Sequence, residues 1–490
     1  MSEKRANAAI SSLIFKFIES FGSLIMSFVV GIILARLLGP TNYGVLSMLT
    51  VFIAISQVFV QSGLNTALIQ KKEVDETDLS SVFYVSLGIS AILYLVLFLA
   101  APAIGALNDR PELAAVLRVL ALILFPGALI SVQNAVVARE MQFKKQMFAS
   151  LLSTAISGSI GIIMAYAGFG YWALVAHQLV NQLCVAIILL ITVRWRPQLL
   201  FSKKRVAILI SYGWKLLVSS LLETGYNKLR ELVIGVKYDL DALGVYSRGK
   251  QFPEVLMNAV NGSIQGVMLP VLSEKQDDPL RMKQMMRRSI TVSSFLVLPV
   301  MAGLAAVAEP LIIVLLTDEW LACVPFLQIC CIDFAFYPIH VANLQAINAM
   351  GRSDVFLKLE LIKKSYGIVI LLVTVFFFDS VMAIAWGAVV STLISAFVNA
   401  TPNRKMLGYG YLEQMKDVLP SMALALLMFL CVNALGTLPL APFALLVVQI
   451  VAGIMIYAGL ALLLKMESAQ YLISTIKLLL AKRKGEGKKA

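Results

Sequence analysis

Histidine, cysteine and charge are what this chain has least of: two histidines, five cysteines and 14% charged residues in 490 positions. A soluble domain carries about a quarter charged residues. With 59% hydrophobic residues, a water-soluble fold of this size is excluded, because too little polar surface would remain to cover its core. The cysteines (Cys184, Cys323, Cys330, Cys331 and Cys431) form no C-x-x-C pair, and only His177 and His340 could join them. A zinc site and a disulfide framework are therefore not expected. No G-x-x-x-x-G-K-S/T segment occurs, so ATP hydrolysis by a P-loop is excluded. Lys4 and Arg5 precede an apolar run from Ile10 to Leu34, but Lys16 and Glu19 interrupt it. The run is too long for a signal-peptide core, lacks a small-residue cleavage pattern, and is expected to stay as a first helix.

Long apolar runs are abundant, and the mean hydropathy is +0.85. A helix crosses the hydrocarbon core with roughly 20 apolar residues. The runs place spans near 9–37, 43–69, 79–101, 112–138, 146–167, 171–193, 206–236, 242–271, 285–316, 322–350, 356–378, 381–400, 417–436 and 441–464. The fold class is all-α integral membrane. About fourteen transmembrane helices are expected, in an N-terminal lobe (1–204), a C-terminal lobe (205–406), two further helices (407–464) and a basic cytoplasmic tail (465–490). The net charge of +13 follows the connections rather than a nucleic-acid-binding face. Lys71, Lys72, Arg139, Lys144, Lys145, Arg194, Arg196 and Lys203–Arg205 fall in alternate connections, as do Arg281, Lys283, Arg287, Arg288, Arg404 and Lys405. The opposite connections hold little beyond Arg36, Arg110 and Lys237. This alternation expects both termini in the cytoplasm and an even number of crossings. The apolar spacing of Met466–Leu480 suits a helix along the inner leaflet or a solvated tail.

An internal repeat runs through the chain. Gly44-Val45-x-Ser47 matches Gly244-Val245-x-Ser247 at an offset of 200, and Ile10-Ser11 matches Ile210-Ser211. Lys16 falls one residue from the counterpart of Lys215, and Pro126 and Gln133 have the spacing of Pro338 and Gln345. Six spans thus repeat as six spans, a parallel repeat of two lobes. Transporters built this way place substrate where the repeats meet.

Polar residues inside spans are costly and mark functional candidates. Span one carries Lys16 and Glu19, with Ser20, Ser23 and Ser27; span seven carries Lys215, Ser219, Glu223, Asn227 and Arg230 on one helix face. Span two carries Gln57, Gln61 and Asn65, and span eight carries Arg248, Gln251, Glu254, Asn258, Asn261 and Gln265. Gln61 and Asn65 map onto Asn261 and Gln265 at the offset of 200, so these four spans are expected to line one cavity. Lys16, Lys215, Arg230 and Arg248 are the candidate phosphate-binding cations, and the amides the candidate sugar contacts. Glu19, Glu223 and Asp333 are the candidate ion-coupling acids. The bland readings are a structural Lys16–Glu19 pair and amides as interhelical glue at ~1 kcal/mol or less each. Lys250, Glu254 and Arg36 read as snorkelling side chains. Asp333 and His340, seven apart, read as a proton relay or a structural pair, and His177 as a packing or hydrogen-bonding residue. Asp239-Leu-Asp241 resembles acidic catalytic residues of membrane glycosyltransferases, but its loop is too short to hold an acceptor.

Leu34-Ala-Arg-Leu-Leu-Gly-Pro-Thr-Asn-Tyr-Gly-Val45, Gly63-Leu-Asn-Thr-Ala-Leu-Ile-Gln-Lys-Lys-Glu73, Arg139-Glu-Met-Gln-Phe-Lys144 and Thr317-Asp-Glu-Trp-Leu321 carry a likeness. Through them the chain resembles the Wzx-type polysaccharide flippases, in the branch of colanic-acid and teichuronic-acid exporters. The resemblance implies the fold of the multidrug, oligosaccharidyl-lipid and polysaccharide exporter superfamily and a non-enzymatic role. It also implies an inner-membrane flippase for oligosaccharide units on undecaprenyl diphosphate, serving exopolysaccharide or O-antigen biosynthesis by alternating access. Membrane lipids and polysaccharide polymerase machinery are the further partners, and no nucleic acid is expected. No cofactor is expected beyond a coupling proton or sodium ion. A cation-coupled multidrug antiporter of the same fold would need a mainly acidic or aromatic cavity. A membrane polymerase would need a long outer loop. A lipid II-type flippase would share the mechanism.

Overall fold

The computed structural model describes residues 22–61, 63–273, 278–474 and 477; the side chains of 212, 259, 261–267, 269–271 and 273 lie outside that description. Every regular element among the described residues is helical. In a bilayer this is the expected solution, because a helix satisfies its own backbone hydrogen bonds where no water can. The helices are α1 (Gly22–Leu37), α2 (Pro40–Gln61), α3 (Leu64–Gln70), α4 (Glu76–Leu107), α5 (Glu112–Leu120), α6 (Leu124–Arg139), α7 (Phe143–Tyr166), α8 (Tyr171–Thr192) and α9 (Lys203–Lys237). There follow α10 (Leu240–Ser273), α11 (Pro279–Ala306), α12 (Ala308–Leu315), α13 (Val324–Ala335), α14 (Tyr337–Ala349), α15 (Ser353–Phe377), α16 (Val381–Leu407), α17 (Tyr411–Ala434), α18 (Pro442–Leu463) and a last helix, α19, at 467–474.

Polarity is distributed inside out compared with a soluble protein. On α4 the hydroxyls of Ser80, Ser81, Ser86 and Ser90 are fully buried, whereas Ile92 is 65% and Leu99 69% exposed. Apolar side chains face outward because lipid, unlike water, sets no penalty on them. Ten helical stretches are long and apolar enough to cross a membrane among the described residues, or eleven if α9, bent by 52° beside Tyr212, counts as one span. The protein is therefore a multi-pass membrane protein. α1 is shorter, and α10 and α15 are more polar. Among the described residues the sequence-based spans fall on helix, but four are interrupted. The 112–138 run passes through a 3-10 turn at Ala121–Ile123. The 43–69 run breaks at Gly63, whose φ of +82° suits glycine, and the 285–316 run breaks at Val307, just before Glu309-Pro310. The 322–350 run breaks at Phe336, where Pro338 enters the first turn of α14.

Packing divides the chain into two compact units, Met1–Ser247 and Arg248–Ala490. In the first unit the repeat has a direct structural expression. A Cβ added to Gly44 would stand 1.7 Å from the Leu240 carbonyl oxygen, and one added to Gly244 would stand 2.1 Å from that of Pro40. The starts of α2 and α10 thus cross backbone to backbone, each glycine lying on the carbonyl of the residue four before the other. Thr41 donates a hydrogen bond to Asp241 across the same crossing, again 200 residues apart. A second glycine contact joins Gly63 to Gly213 of α9, where either Cβ would meet the other's backbone within 3 Å. α9 is held in this unit by these contacts and by Met48 of α2, which fills the space at Gly235.

In the second unit, α11, α14, α16, α17 and α18 share a core that includes Met286, Ile290, Ala342, Ala346, Val418 and Met428. Three fully buried amides cross-link it. Asn343 donates to Gln414 Oε1 (2.8 Å), and Asn343 Oδ1 accepts from both Asn403 (2.8 Å) and Gln414 (3.0 Å). Tyr457 of α18 adds a bond to the Phe295 carbonyl at 2.9 Å. The repeat shows here too: α6 and α14 carry the matching Pro126 and Pro338 in their first turns, and a helix break precedes each.

Candidate functional site

Within the first unit a cavity of about 380 Å³ opens between four helices. Ser23 and Ser27 come from α1, Thr50 and Gln57 from α2, Ser150 and Thr154 from α7, and His177, Gln178, Asn181 and Gln182 from α8. Small residues let the helices approach. Gly158 lies against Val30, and Gly161 lies under His177, where a Cβ would be 3.0 Å from the histidine's own. Part of the wall is internally bonded. Ser23 and Ser150 share a 2.7 Å hydrogen bond, and Asn181 donates to Ser157 at 3.2 Å. Nε2 of His177 is buried with no hydrogen-bond partner. Such a group requires water or a ligand to complete it. The volume falls in the ~300–1,000 Å³ range of small-molecule sites. Among the described residues the wall carries no carboxylate, lysine or arginine; that part of it offers paired donors and acceptors, which suit hydroxyl groups.

Charge stands nearby in sequence, on α9. Lys215, Ser219, Glu223 and Asn227 are exposed on one face, and Arg230, half-buried, lies 5.9 Å from the Tyr226 ring centre. Lys228 and Glu231 form a separate pair at 2.7 Å. Glu223 is thus available to solvent or lipid headgroups rather than committed to an ion pair among the described residues.

The remaining candidates are scattered. Lys16 and Glu19 lie outside the described residues, as do the side chains of Asn261 and Gln265. Gln61 reaches α6 at Gly127, where a Cβ would be 3.5 Å from its amide nitrogen. Asn65, on α3, has a buried Oδ1 with no hydrogen-bond partner. Asn258 is exposed on α10. Arg248 is 3% exposed in the second unit, donates to Gln251 Oε1 at 2.5 Å, and lies 5.9 Å from the ring of the fully buried Trp320. Its surroundings are protein rather than open cavity. Asp333 and His340 do not form a pair. The break at Phe336 separates them; Thr392 donates to Asp333, and Asn399 bonds His340 at 3.2 Å. Both partners belong to α16. Asp239 and Asp241 are likewise committed, the first to the Ala242 amide at 2.6 Å and the second to Thr41.

His177 read from the sequence as a packing or hydrogen-bonding residue, and Gln178, Asn181 and Gln182, like Thr50, Ser150 and Thr154, drew no reading. Residues 177, 178, 181 and 182 share one face of α8, and that stripe was the available signal. Two of the likeness motifs also meet in space. Arg139 donates to the carbonyls of Leu68 (2.8 Å), Ile69 (3.1 Å), Lys71 (2.5 Å) and Lys72 (3.1 Å), closing the C-terminus of α3. Asp75 caps α4. The Asp78 amide and then Arg205, with which it pairs, hold its carboxyl below the usual carboxylate range.

A profile of the polysaccharide biosynthesis protein family matches residues 33–325. The chain belongs to that family. Among its relatives, the succinoglycan biosynthesis transport protein ExoT of Rhizobium meliloti is 26% identical over 404 residues, 81% of this chain and 78% of ExoT. The lipopolysaccharide biosynthesis protein WzxC of Escherichia coli is 23% identical and covers 68% of each chain. The fold is that of the lipid II flippase MurJ in an inward closed conformation, with a TM-score of 0.73 and 15% identity over 91% of this chain and 97% of MurJ. A multidrug-resistance transporter of the MATE family, inward-facing, follows with a TM-score of 0.60 over 82% and 98%. This family member is a membrane transport protein of polysaccharide biosynthesis, not an enzyme.

Proposed function

We propose that this protein flips oligosaccharide units linked to undecaprenyl diphosphate from the cytoplasmic to the periplasmic leaflet of the bacterial inner membrane, with both termini cytoplasmic and fourteen crossings. A diphosphate and its sugars cannot enter hydrocarbon unaided, whereas the polyprenyl chain never needs to leave it. The observation that carries the reading is the presence, in one unit, of a cavity whose described wall is rich in hydroxyls and amides and of an α9 face that bears Lys215 and Arg230. Lys215 and Arg230 meet the diphosphate. Gln57, with the hydroxyls and amides around it, takes sugar hydroxyls. Glu223 balances Lys215 between cycles and exchanges the coupling proton or sodium ion as access alternates. The product is handed to the polymerase machinery of the outer leaflet.

The same fold serves multidrug antiport, but the described wall of this cavity offers hydroxyls and amides, which suit sugar hydroxyls better than an organic cation. The test is translocation of lipid-linked sugar in cells carrying Lys215→Ala or Arg230→Ala. Accumulation of the precursor on the inner leaflet, at normal protein levels in the membrane, is the expected result. Unchanged translocation by both variants would remove the cationic face from the mechanism.

A further inference from the structure

A second polar pocket lies in the other unit, between the start of α11 and α19, with a volume of about 390 Å³. Its charged lining is Arg287, Arg288 and Glu467; Thr291 and Ser468 add hydroxyls, and Met285 an apolar contact. The depth follows from α11 itself. Arg281, Lys283, Arg287 and Arg288 fill its first turns, and no charged residue follows from Ser289 to Ala306. The pocket therefore sits where headgroups give way to acyl chains, and the sequence's basic connections assign that boundary to the cytoplasmic leaflet, the one point taken over from the proposed orientation.

The two arginines are held differently. Arg287 pairs with Asp417 at 2.7 Å, and Asp417 also accepts from the Tyr409 hydroxyl at 2.7 Å. That guanidinium is fixed and largely neutralised from behind. Arg288 has no carboxylate partner among the described residues; its guanidinium lies 3.8 Å from the Tyr471 ring centre. Stacking occupies the face of the guanidinium and leaves its N–H edges free to donate. With Arg287 offset by Asp417, the pocket presents, among the described residues, one available cation, Arg288, and one exposed carboxylate, Glu467. The pattern complements a headgroup that carries one negative and one positive charge.

We propose that this pocket binds the headgroup of a zwitterionic aminophospholipid of the cytoplasmic leaflet, with the phosphodiester on Arg288 and the primary ammonium on Glu467. Ser468 donates to a remaining phosphate oxygen, while Thr291 is engaged with the Arg288 carbonyl. A trimethylated ammonium has no N–H to give Glu467, and an anionic glycerol headgroup has no cation for it, so both bind less well.

The test is lipid retention by the full-length protein, read by native mass spectrometry after exchange into mixtures of phosphatidylethanolamine, phosphatidylcholine and phosphatidylglycerol. The wild type should retain phosphatidylethanolamine in preference to the other two. R288Q should retain it about tenfold less, the factor that ~1.4 kcal/mol represents. E467Q should lose the preference over phosphatidylglycerol while still holding phosphate. R288K, which keeps the charge, controls for folding and should retain more lipid than R288Q. Equal or better retention of phosphatidylglycerol by the wild type would overturn the proposal, as would an R288Q protein that retains lipid normally. Free O-phosphoethanolamine, added without lipid, tests a soluble source; its retention in place of lipid would also overturn it. None of these readouts depends on transport, so their failure leaves the flippase reading standing.

Discussion

The crossing of α2 and α10 is the contact most open to a single decisive substitution. A Cβ at position 44 would lie 1.7 Å from the Leu240 carbonyl oxygen, and an ordinary contact needs about 3.4 Å. The obstacle is backbone, so no side chain can turn aside. Gly44→Ala must push the helix starts apart by the difference, about 1.7 Å, which also breaks the Thr41–Asp241 hydrogen bond. Overpacking against flexible neighbours costs ~1–3 kcal/mol, and a rigid carbonyl sets this substitution at the upper end. Because a membrane protein cannot easily be unfolded reversibly, proximity is the better assay. A Thr41→Cys/Asp241→Cys protein should form a disulfide readily in membranes, since Thr41 and Asp241 are in direct contact. Adding Gly44→Ala, or Gly244→Ala at the reciprocal contact, should slow that reaction severalfold and lower the melting temperature in detergent. Normal cross-linking and melting in both glycine variants would refute the close crossing.

Arg139→Ala should expose the end of α3, because four carbonyls lose their donor at once; hydrogen exchange over 64–72 should rise, and unchanged exchange would deny the cap its role. Asn343→Leu removes the side-chain partner of Gln414 and Asn403, each left only a backbone carbonyl, and should cost ~2–6 kcal/mol in thermal denaturation, at about 1–3 kcal/mol for each amide. The triple variant with Leu at 343, 403 and 414 should recover part of that loss, and no recovery would refute the amide account. Asp75 titrates below the usual carboxylate range when folded, so its stabilising effect is present above its ordinary value of 3.8 and fades as pH falls through the lowered one. Melting curves of wild type and Asp75→Asn should therefore differ at pH 6 and converge toward pH 3. Because the carboxylate is half exposed, the difference should be small, and a gap that widens in acid would contradict the assignment.

Much of the architecture is readable in the sequence because lipid imposes long apolar runs and the connections carry the charge asymmetry. The repeat was legible for the same reason that it matters: a close backbone crossing tolerates only glycine, so Gly44 and Gly244 stand out at equal spacing. The helix breaks were less visible. An apolar run through Phe336 reads as one span, and only Pro338 hints that Asp333 and His340 stand on separate helices. The cavity in the first unit was half legible. Gln57, Ser23 and Ser27 formed obvious stripes, whereas His177 read as a packing or hydrogen-bonding residue and Gln178, Asn181 and Gln182 stood out only once α8 brought them to the same hollow. Burial of Arg248 against Trp320 could not be read, since charge alone does not tell whether an arginine faces a cavity or the core.

The inner cross-link of the second unit is built from amides rather than ions. Neither Asn343, Asn403 nor Gln414 can gain or lose a proton in any physiological range. A carboxylate–ammonium clasp in the same place would loosen or tighten with every swing in proton gradient or membrane voltage. The clasp that ties α14, α16 and α17 together should therefore hold equally well on either side of a proton gradient, whatever the groups around it do.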